Sequence, residues 1–129
     1  MSEKVAMVVL WHGPELFMQE RDKKLPEGKT KSYGFFGGKV EEGEAEIDAA
    51  VREVQEETGL ALEKEKLSPP DLVVDGDDTA YVYQALLPYG VKIESKDGSV
   101  VLWSRNDLET NRGEGKLMPL SAKYVERFF

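Results

Sequence analysis

Glu53, Glu56 and Glu57 stand at i, i+3 and i+4 in a segment reading GGKVEEGEAEIDAAVREVQEETGL over residues 37–60. If that segment is helical, the three carboxylates lie together on one face. Crowded like charges repel one another, so the arrangement is costly unless something neutralises it. Clustered oxygen ligands suit hard cations such as Mg²⁺ or Mn²⁺. Eight acidic side chains fall between Glu41 and Glu57, with Arg52 the only cation in that span. A plain solvated acidic face therefore competes with the metal reading. Another side of the helix helps to separate the two. Ile47, Ala50, Val51, Val54 and Thr58 recur at helical spacing over Ala45 to Thr58, the stripe that buries against a neighbour. Such a helix can pack one side and hold carboxylates on another. Gly59 is a natural C-terminal stop, because glycine adopts the left-handed conformation that ends many helices, and Leu60 can cover the end.

Other elements must position this helix. Val5 to Trp11 is an apolar run, His12-Gly13-Pro14-Glu15 a turn signal, and Leu16-Phe17-Met18 a second apolar run, which together predict a β-hairpin. The charged stretch from Asp22 to Lys31, with Pro26 and Gly28, reads as an exposed loop. Tyr33-Gly34-Phe35-Phe36 is a short aromatic strand leading into Gly37-Gly38. Beyond the helix, Ser68-Pro69-Pro70 breaks the chain. Thr79 to Leu87, Val91 to Ile93 and Ser99 to Trp103 read as strands, with Asp97-Gly98 a hairpin-type turn before the last. Ser121 to Phe129 predicts a short helix with Ala122, Val125, Phe128 and Phe129 packed inward. Strands, a central helix, more strands and a terminal helix imply an α/β layered domain with a mixed sheet, a single domain over residues 1–129.

Composition narrows the function classes. The formal net charge is −8, a poor match for nucleic acid, whose binding draws on Lys and Arg at phosphates. If the chain handles phosphates, divalent metal is the obvious carrier of positive charge. There are no cysteines, so disulfides and thiolate metal sites are excluded. No apolar run approaches a membrane span, the N-terminus lacks the pattern of a signal peptide, and a cytoplasmic location is expected.

The 37–60 segment also resembles the Nudix box, which runs Gly, five residues, Glu, seven residues, then Arg-Glu-aliphatic-x-Glu-Glu-x-Gly-aliphatic. Gly38, Glu44, Arg52, Glu53, Val54, Glu56, Glu57, Gly59 and Leu60 fill it with no departure. Seven fixed types at ordinary frequencies coincide by chance less than about once in 10⁸ windows, so accident does not explain the match. The resemblance implies a Nudix-type α/β/α sandwich and Mg²⁺-dependent hydrolysis of the pyrophosphate linkage in a nucleoside diphosphate derivative, with Mn²⁺ able to substitute. It makes Glu53, Glu56 and Glu57 metal ligands, with the Gly37 carbonyl completing the set. It pairs Arg52 with Glu44 as a brace behind the ligands, although Asp48, four residues before Arg52, is a local competitor. It leaves the general base open between Glu53 and Asp97, and Asp97 also reads as a simple turn residue. Arg21, Gly38 and Lys39 become candidates for phosphate contact, though each of the two cations also reads as a solvated surface residue. His12, in a turn, is given no role.

The box is silent on the leaving group. Gly76, Asp77 and Asp78 occupy the window where ADP-ribose and dinucleoside polyphosphate subgroups of the family carry a marker proline or tyrosine. The compact length and the Gly34-to-Lys39 lead-in resemble MutT-type nucleoside triphosphate pyrophosphohydrolases more. Trp11, Tyr33, Phe35 and Trp103 are candidates to stack on a base, or ordinary core. The alternatives are hydrolysis of ADP-ribose, a nucleotide sugar or a dinucleoside polyphosphate, and a nucleotide-binding module without turnover. The expected partner is a small-molecule nucleotide, with neither nucleic acid nor membrane. Relatives often form homodimers, a possibility left open here.

Overall fold

A computed structural model of the chain describes residues 2–25, 28–93 and 100–129. Its central strand, β1 (Lys4–His12), sends Ala6, Val8 and Leu10 to one face and Met7 and Val9 to the other, all buried. A strand covered on both faces must be apolar throughout, which is why Val5 to Trp11 is one hydrophobic run. The expected hairpin forms: β1 turns at Gly13 (φ +62°) into the antiparallel β2 (Glu15–Leu25).

The charged stretch beyond it is not a loop. Asp22 to Leu25 pairs with the start of β3 (Gly28–Gly34), Leu25 opposite Gly28 and Asp22 opposite Lys31. Two adjacent polar segments satisfy each other's backbone groups without needing an apolar side, so hydropathy alone does not reveal such an arm.

β4 (Phe36–Lys39) lies antiparallel to the first half of β1. β6 (Asp78–Leu86) runs parallel to β1 along eight registered pairs, from Lys4–Thr79 to Trp11–Leu86. β5 (Asp71–Asp75), which hydropathy did not suggest, borders β6, and β7 (Val100–Trp103) borders β2. The result is a mixed sheet of seven strands among the described residues, in the order β3-β2-β1-β6-β5 with β4 on β1 and β7 on β2. Val91 to Ile93 was expected as a strand and is not one. The Val91 N–H bonds to the Pro88 carbonyl in a turn through Gly90 (φ +86°), while Ile93 still buries its side chain. Asp97 and Gly98 lie outside the described residues.

Helix α1 (Glu46–Thr58) covers one face of the sheet. Ala49, Ala50 and Val54 are buried among Ala6, Val8, Leu10 and Phe36, and burying Val54 alone is worth about 1.5–3 kcal/mol. The predicted stripe is correct in Ala50 and Val54, while Ile47 and Val51 are only half-buried. Gly59 ends the helix in the left-handed region (φ +78°), its N–H bonding to the Gln55 carbonyl. The opposite face carries α2 (Arg105–Gly113) and α3 (Pro119–Phe128), which bring Leu108, Tyr124 and Val125 against Met7, Val9, Met18 and Val82. α3 begins two residues earlier than expected, with proline in its first turn, where its missing N–H costs nothing. Phe128 is 42% exposed and Tyr124 takes the buried place instead. The layers are α/β/α, as the resemblance implied.

Candidate active site

After Gly34 the chain leaves β2 and pairs with β1 as β4, placing Gly37 opposite Met7 and Gly38 opposite Ala6. Gly37 has φ +152°, and a Cβ there would run into the Ala6 carbonyl oxygen and the Met7 Cα. Glycine is therefore obligatory at this position. A Cβ on Gly38 would lie 2.5 Å from the Glu53 Cδ and 2.6 and 2.7 Å from its oxygens. The glycine pair is what lets α1 lower its acids onto the edge of β4.

Two knots of charge result. In the first, Arg52 grips Glu44 with two parallel bonds, Nε to Oε2 at 2.8 Å and Nη2 to Oε1 at 3.0 Å. This fork geometry is the strong form of an Arg–carboxylate pair. The same guanidinium donates to Glu53 Oε1 at 3.0 Å, to Glu56 Oε1 at 3.2 Å and to the Lys39 carbonyl at 3.1 Å. Glu44 also accepts from the Glu41 N–H at 3.1 Å. The bonds from Arg52, then that backbone bond, hold the Glu44 carboxyl below its ordinary range. Arg52 is driven up in turn, chiefly by Glu44. Asp48 is not its partner; that carboxylate lies 3.5 Å from Lys64.

The second knot surrounds Glu57, whose side chain is only 8% exposed. Its Oε1 accepts from the Gly37 N–H at 2.8 Å and its Oε2 from Arg21 Nη2 at 2.9 Å. Burial raises its pKa above the ordinary value; the Gly37 N–H and Arg21 oppose that, and the neighbouring Glu53 carboxylate adds to it. Arg21 is further held by Gln19, whose Oε1 accepts from Nε at 3.1 Å and from Nη2 at 3.0 Å.

Arg21, Gly37 and Gly38 also line a cavity of about 400 Å³ between the sheet and α3. Val5, Met7, Phe35, Met118 and Leu120 supply apolar wall, and Asp75 and Asp78 acidic groups, at the turn joining β5 to β6. Of the aromatic residues considered for stacking, Phe35 and Trp103 belong to the core cluster on the α3 side and Trp11 and Tyr33 pack against it, and of the four Phe35 lines this cavity. Lys39 directs its ammonium to Glu3, 3.6 Å away. His12 stacks on the exposed Tyr89 on another part of the surface. Asp97 lies outside the described residues. Gln19, Asp75 and Asp78 are the site residues that sequence reasoning missed.

Whether these groups suit a divalent ion is a question of donors. Three carboxylates within one helical turn and a glycine backbone beside them form an all-oxygen set, the kind Mg²⁺ prefers. The cradle that a Cβ on Gly38 would fill leaves Glu53 free to sit against β4. Among the described residues no group of three or more acids is arranged to hold a metal ion: Arg52 draws Glu53 and Glu56 one way and Arg21 draws Glu57 another. The donors suit a divalent ion by their chemistry, and gathering on one would require them to give up these arginine contacts.

A family model described as the NUDIX domain matches residues 1–121. The chain belongs to the Nudix family. It is a hydrolase acting on pyrophosphate bonds, and the family generally works with divalent metal ions. Solved Nudix structures share the fold. A MutT Nudix hydrolase from Burkholderia pseudomallei is 21% identical, with 100% of this chain and 99% of that one covered and a TM-score of 0.72. A MutT described from Aliivibrio salmonicida and Vibrio cholerae is 20% identical, with coverage of 99% and 100% and a TM-score of 0.68. The ORF135 protein of E. coli is 19% identical, with coverage of 98% and 88% and a TM-score of 0.69.

Proposed function

We propose that this chain is a Mg²⁺-dependent nucleoside triphosphate pyrophosphohydrolase of MutT type, with Mn²⁺ able to substitute. The observation that carries the reading is the position of Glu57. It is a buried carboxylate of the Nudix helix, fixed to Gly37 and Arg21, and both of those residues line the largely apolar cavity of about 400 Å³. Glu53, Glu56 and Glu57, with the Gly37 carbonyl, are the groups that would hold the ions. A divalent ion held by these residues would supply charge to neutralise phosphate oxygens and to make an attacking water more acidic. Arg52 keeps Glu53 and Glu56 oriented through its grip on Glu44. Arg21 contacts the phosphates at the cavity mouth, with Gly38 giving close backbone approach and Lys39 adding charge nearby. Glu53 or Asp97 takes the proton from water as its oxygen attacks phosphorus in line. The phosphoanhydride bond breaks, and nucleoside monophosphate and pyrophosphate leave. The cavity accepts a base against Phe35 and Met118, and the carboxylates of Asp75 and Asp78 suit a base that presents amino donors. A nucleotide pool as substrate makes the cytoplasm the expected place of work.

A panel of nucleoside triphosphates, nucleotide sugars, ADP-ribose and dinucleoside polyphosphates, assayed with Mg²⁺ and with Mn²⁺, tests this. Monophosphate and pyrophosphate released from triphosphates, faster for amino-bearing bases than for thymine or uracil, is the expected result. Turnover confined to the diphosphate derivatives would refute the substrate class. Saturable nucleotide binding with no turnover in either metal would refute the catalytic assignment.

A further inference from the structure

Gln19 is 2% exposed, one of very few polar side chains in the described interior. Strand alternation puts it on the same face of β2 as Phe17 and Arg21, under α1. Its amide oxygen accepts from Arg21 Nε at 3.1 Å and Nη2 at 3.0 Å. Arg21 Nη2 in turn donates to Glu57 Oε2 at 2.9 Å, and the Gln19 amide favours that carboxylate's charged form. An ionised carboxylate can only accept and so must be met by a donor, while a guanidinium can only donate and so must be met by an acceptor. A primary amide is a neutral group offering both at once. Glutamate in its place would repel Glu57, lysine would repel Arg21, and an apolar residue would take from the Arg21 guanidinium the acceptor that meets its Nε and Nη2.

We propose that Gln19 is a positioning residue for this reaction. It holds the phosphate-contacting Arg21 in place beside the metal-binding Glu57, so that the cation facing substrate stays aligned when Glu57 turns its oxygens to an ion. This rests on the roles of Arg21 and Glu57 in the reading above. Without Gln19, Arg21 keeps one anchor, Glu57 itself, the same group that metal competes for.

The test is a double-mutant cycle on turnover of the best triphosphate, with Gln19→Met, Arg21→Ala and the double variant. Gln19→Met is expected to raise KM about tenfold, as loss of a ground-state phosphate contact does. The double variant should lie within about twofold of Arg21→Ala alone, because the amide acts through the arginine. Full additivity, or an unchanged KM in folded Gln19→Met, overturns the proposal. A second readout needs neither a variant nor a substrate: the Arg21 Nε–H resonance of the wild-type protein. If Gln19 holds the guanidinium, that proton exchanges slowly with water at neutral pH and gives a resolved signal. Exchange as fast as that of a solvated arginine contradicts the bridge. This readout decides the matter if Gln19→Met does not fold. A protein that shows the slow signal but hydrolyses no triphosphate leaves the bridge intact and defeats the proposed function instead.

Discussion

Replacing Gly38 with alanine separates what the glycine pair does for the fold from what it does for the chemistry. The added Cβ would stand 2.5 Å from the Glu53 Cδ, whereas ordinary contact begins near 3.4 Å, so the carboxylate must retreat by about 0.9 Å. Every atom in the way belongs to the end of a flexible side chain, and Gly38 has no positive φ that alanine would resist. The stability loss should therefore stay below about 1 kcal/mol. Catalysis is less forgiving, because a displacement of about 1 Å in a reacting constellation costs on the order of 100-fold. Glu53 also shares the Arg52 guanidinium with Glu44 and Glu56, so its retreat disturbs them. Initial rates at saturating Mg²⁺, taken beside a urea unfolding midpoint, measure both effects. A near-normal midpoint with kcat/KM reduced about 100-fold is expected. Rates within about threefold of wild type in the folded variant would show that the placement of Glu53 does not matter. Gly37→Ala is the contrast: there the obstruction is the β1 backbone and the φ is strained for any side chain, so the fold itself should lose about 3 kcal/mol or more.

Two further outcomes follow from the charge networks. Arg52→Lys keeps the charge but cannot fork to Glu44 while also reaching Glu53, Glu56 and the Lys39 carbonyl. It should lower kcat/KM by about tenfold or more while moving the unfolding midpoint little; an unchanged rate in steady-state assays would contradict the bracing role. Tyr124 is fully buried, donates to Asp71 Oδ2 at 3.0 Å and accepts from Gln84 Nε2 at 2.9 Å. Burial pushes its pKa up to about 12, opposed by Gln84 and reinforced by Asp71. Because the folded state holds this proton more tightly than the unfolded chain, its stabilisation is intact below pH about 10 and is lost as pH climbs to about 12, amounting to roughly 2–3 kcal/mol. Denaturation series across that range should fall more steeply for wild type than for Tyr124→Phe, and parallel curves would rule the effect out.

What the sequence made legible was local. Residues 46–58 declared themselves as a helix because burial and charge repeat at its own period, and the Gly59 stop and the acid cluster fell where spacing put them. The β1–β2 hairpin was equally plain, since both faces of β1 are buried. Elements stabilised by distant partners were hidden. β5 has only Val73 buried and leaves Leu72 and Val74 half exposed, so its alternation is carried by one residue. α2 buries Leu108 alone and is fixed by the reciprocal Ser104–Asp107 capping box, a signal present in the sequence but easily lost in a polar stretch. The β2–β3 arm pairs charged segments with each other. In the site, Arg52 meets Glu44 across the loop before α1 rather than the nearer Asp48, whose carboxylate lies 3.5 Å from Lys64. Gln19 and the two aspartates of the β5–β6 turn carry no motif; only the meeting of separate strands gives them a place.

The central claim, that the acids of α1 gather divalent ions, is tested most directly by counting Mn²⁺ bound to the protein by electron paramagnetic resonance, without any substrate. Wild type should bind the ion saturably. Glu57→Gln, which keeps the shape of the buried side chain and its bond from Gly37, should bind about tenfold or more weakly while remaining folded. Equal Mn²⁺ affinity in wild type and in a folded Glu57→Gln protein would contradict the account.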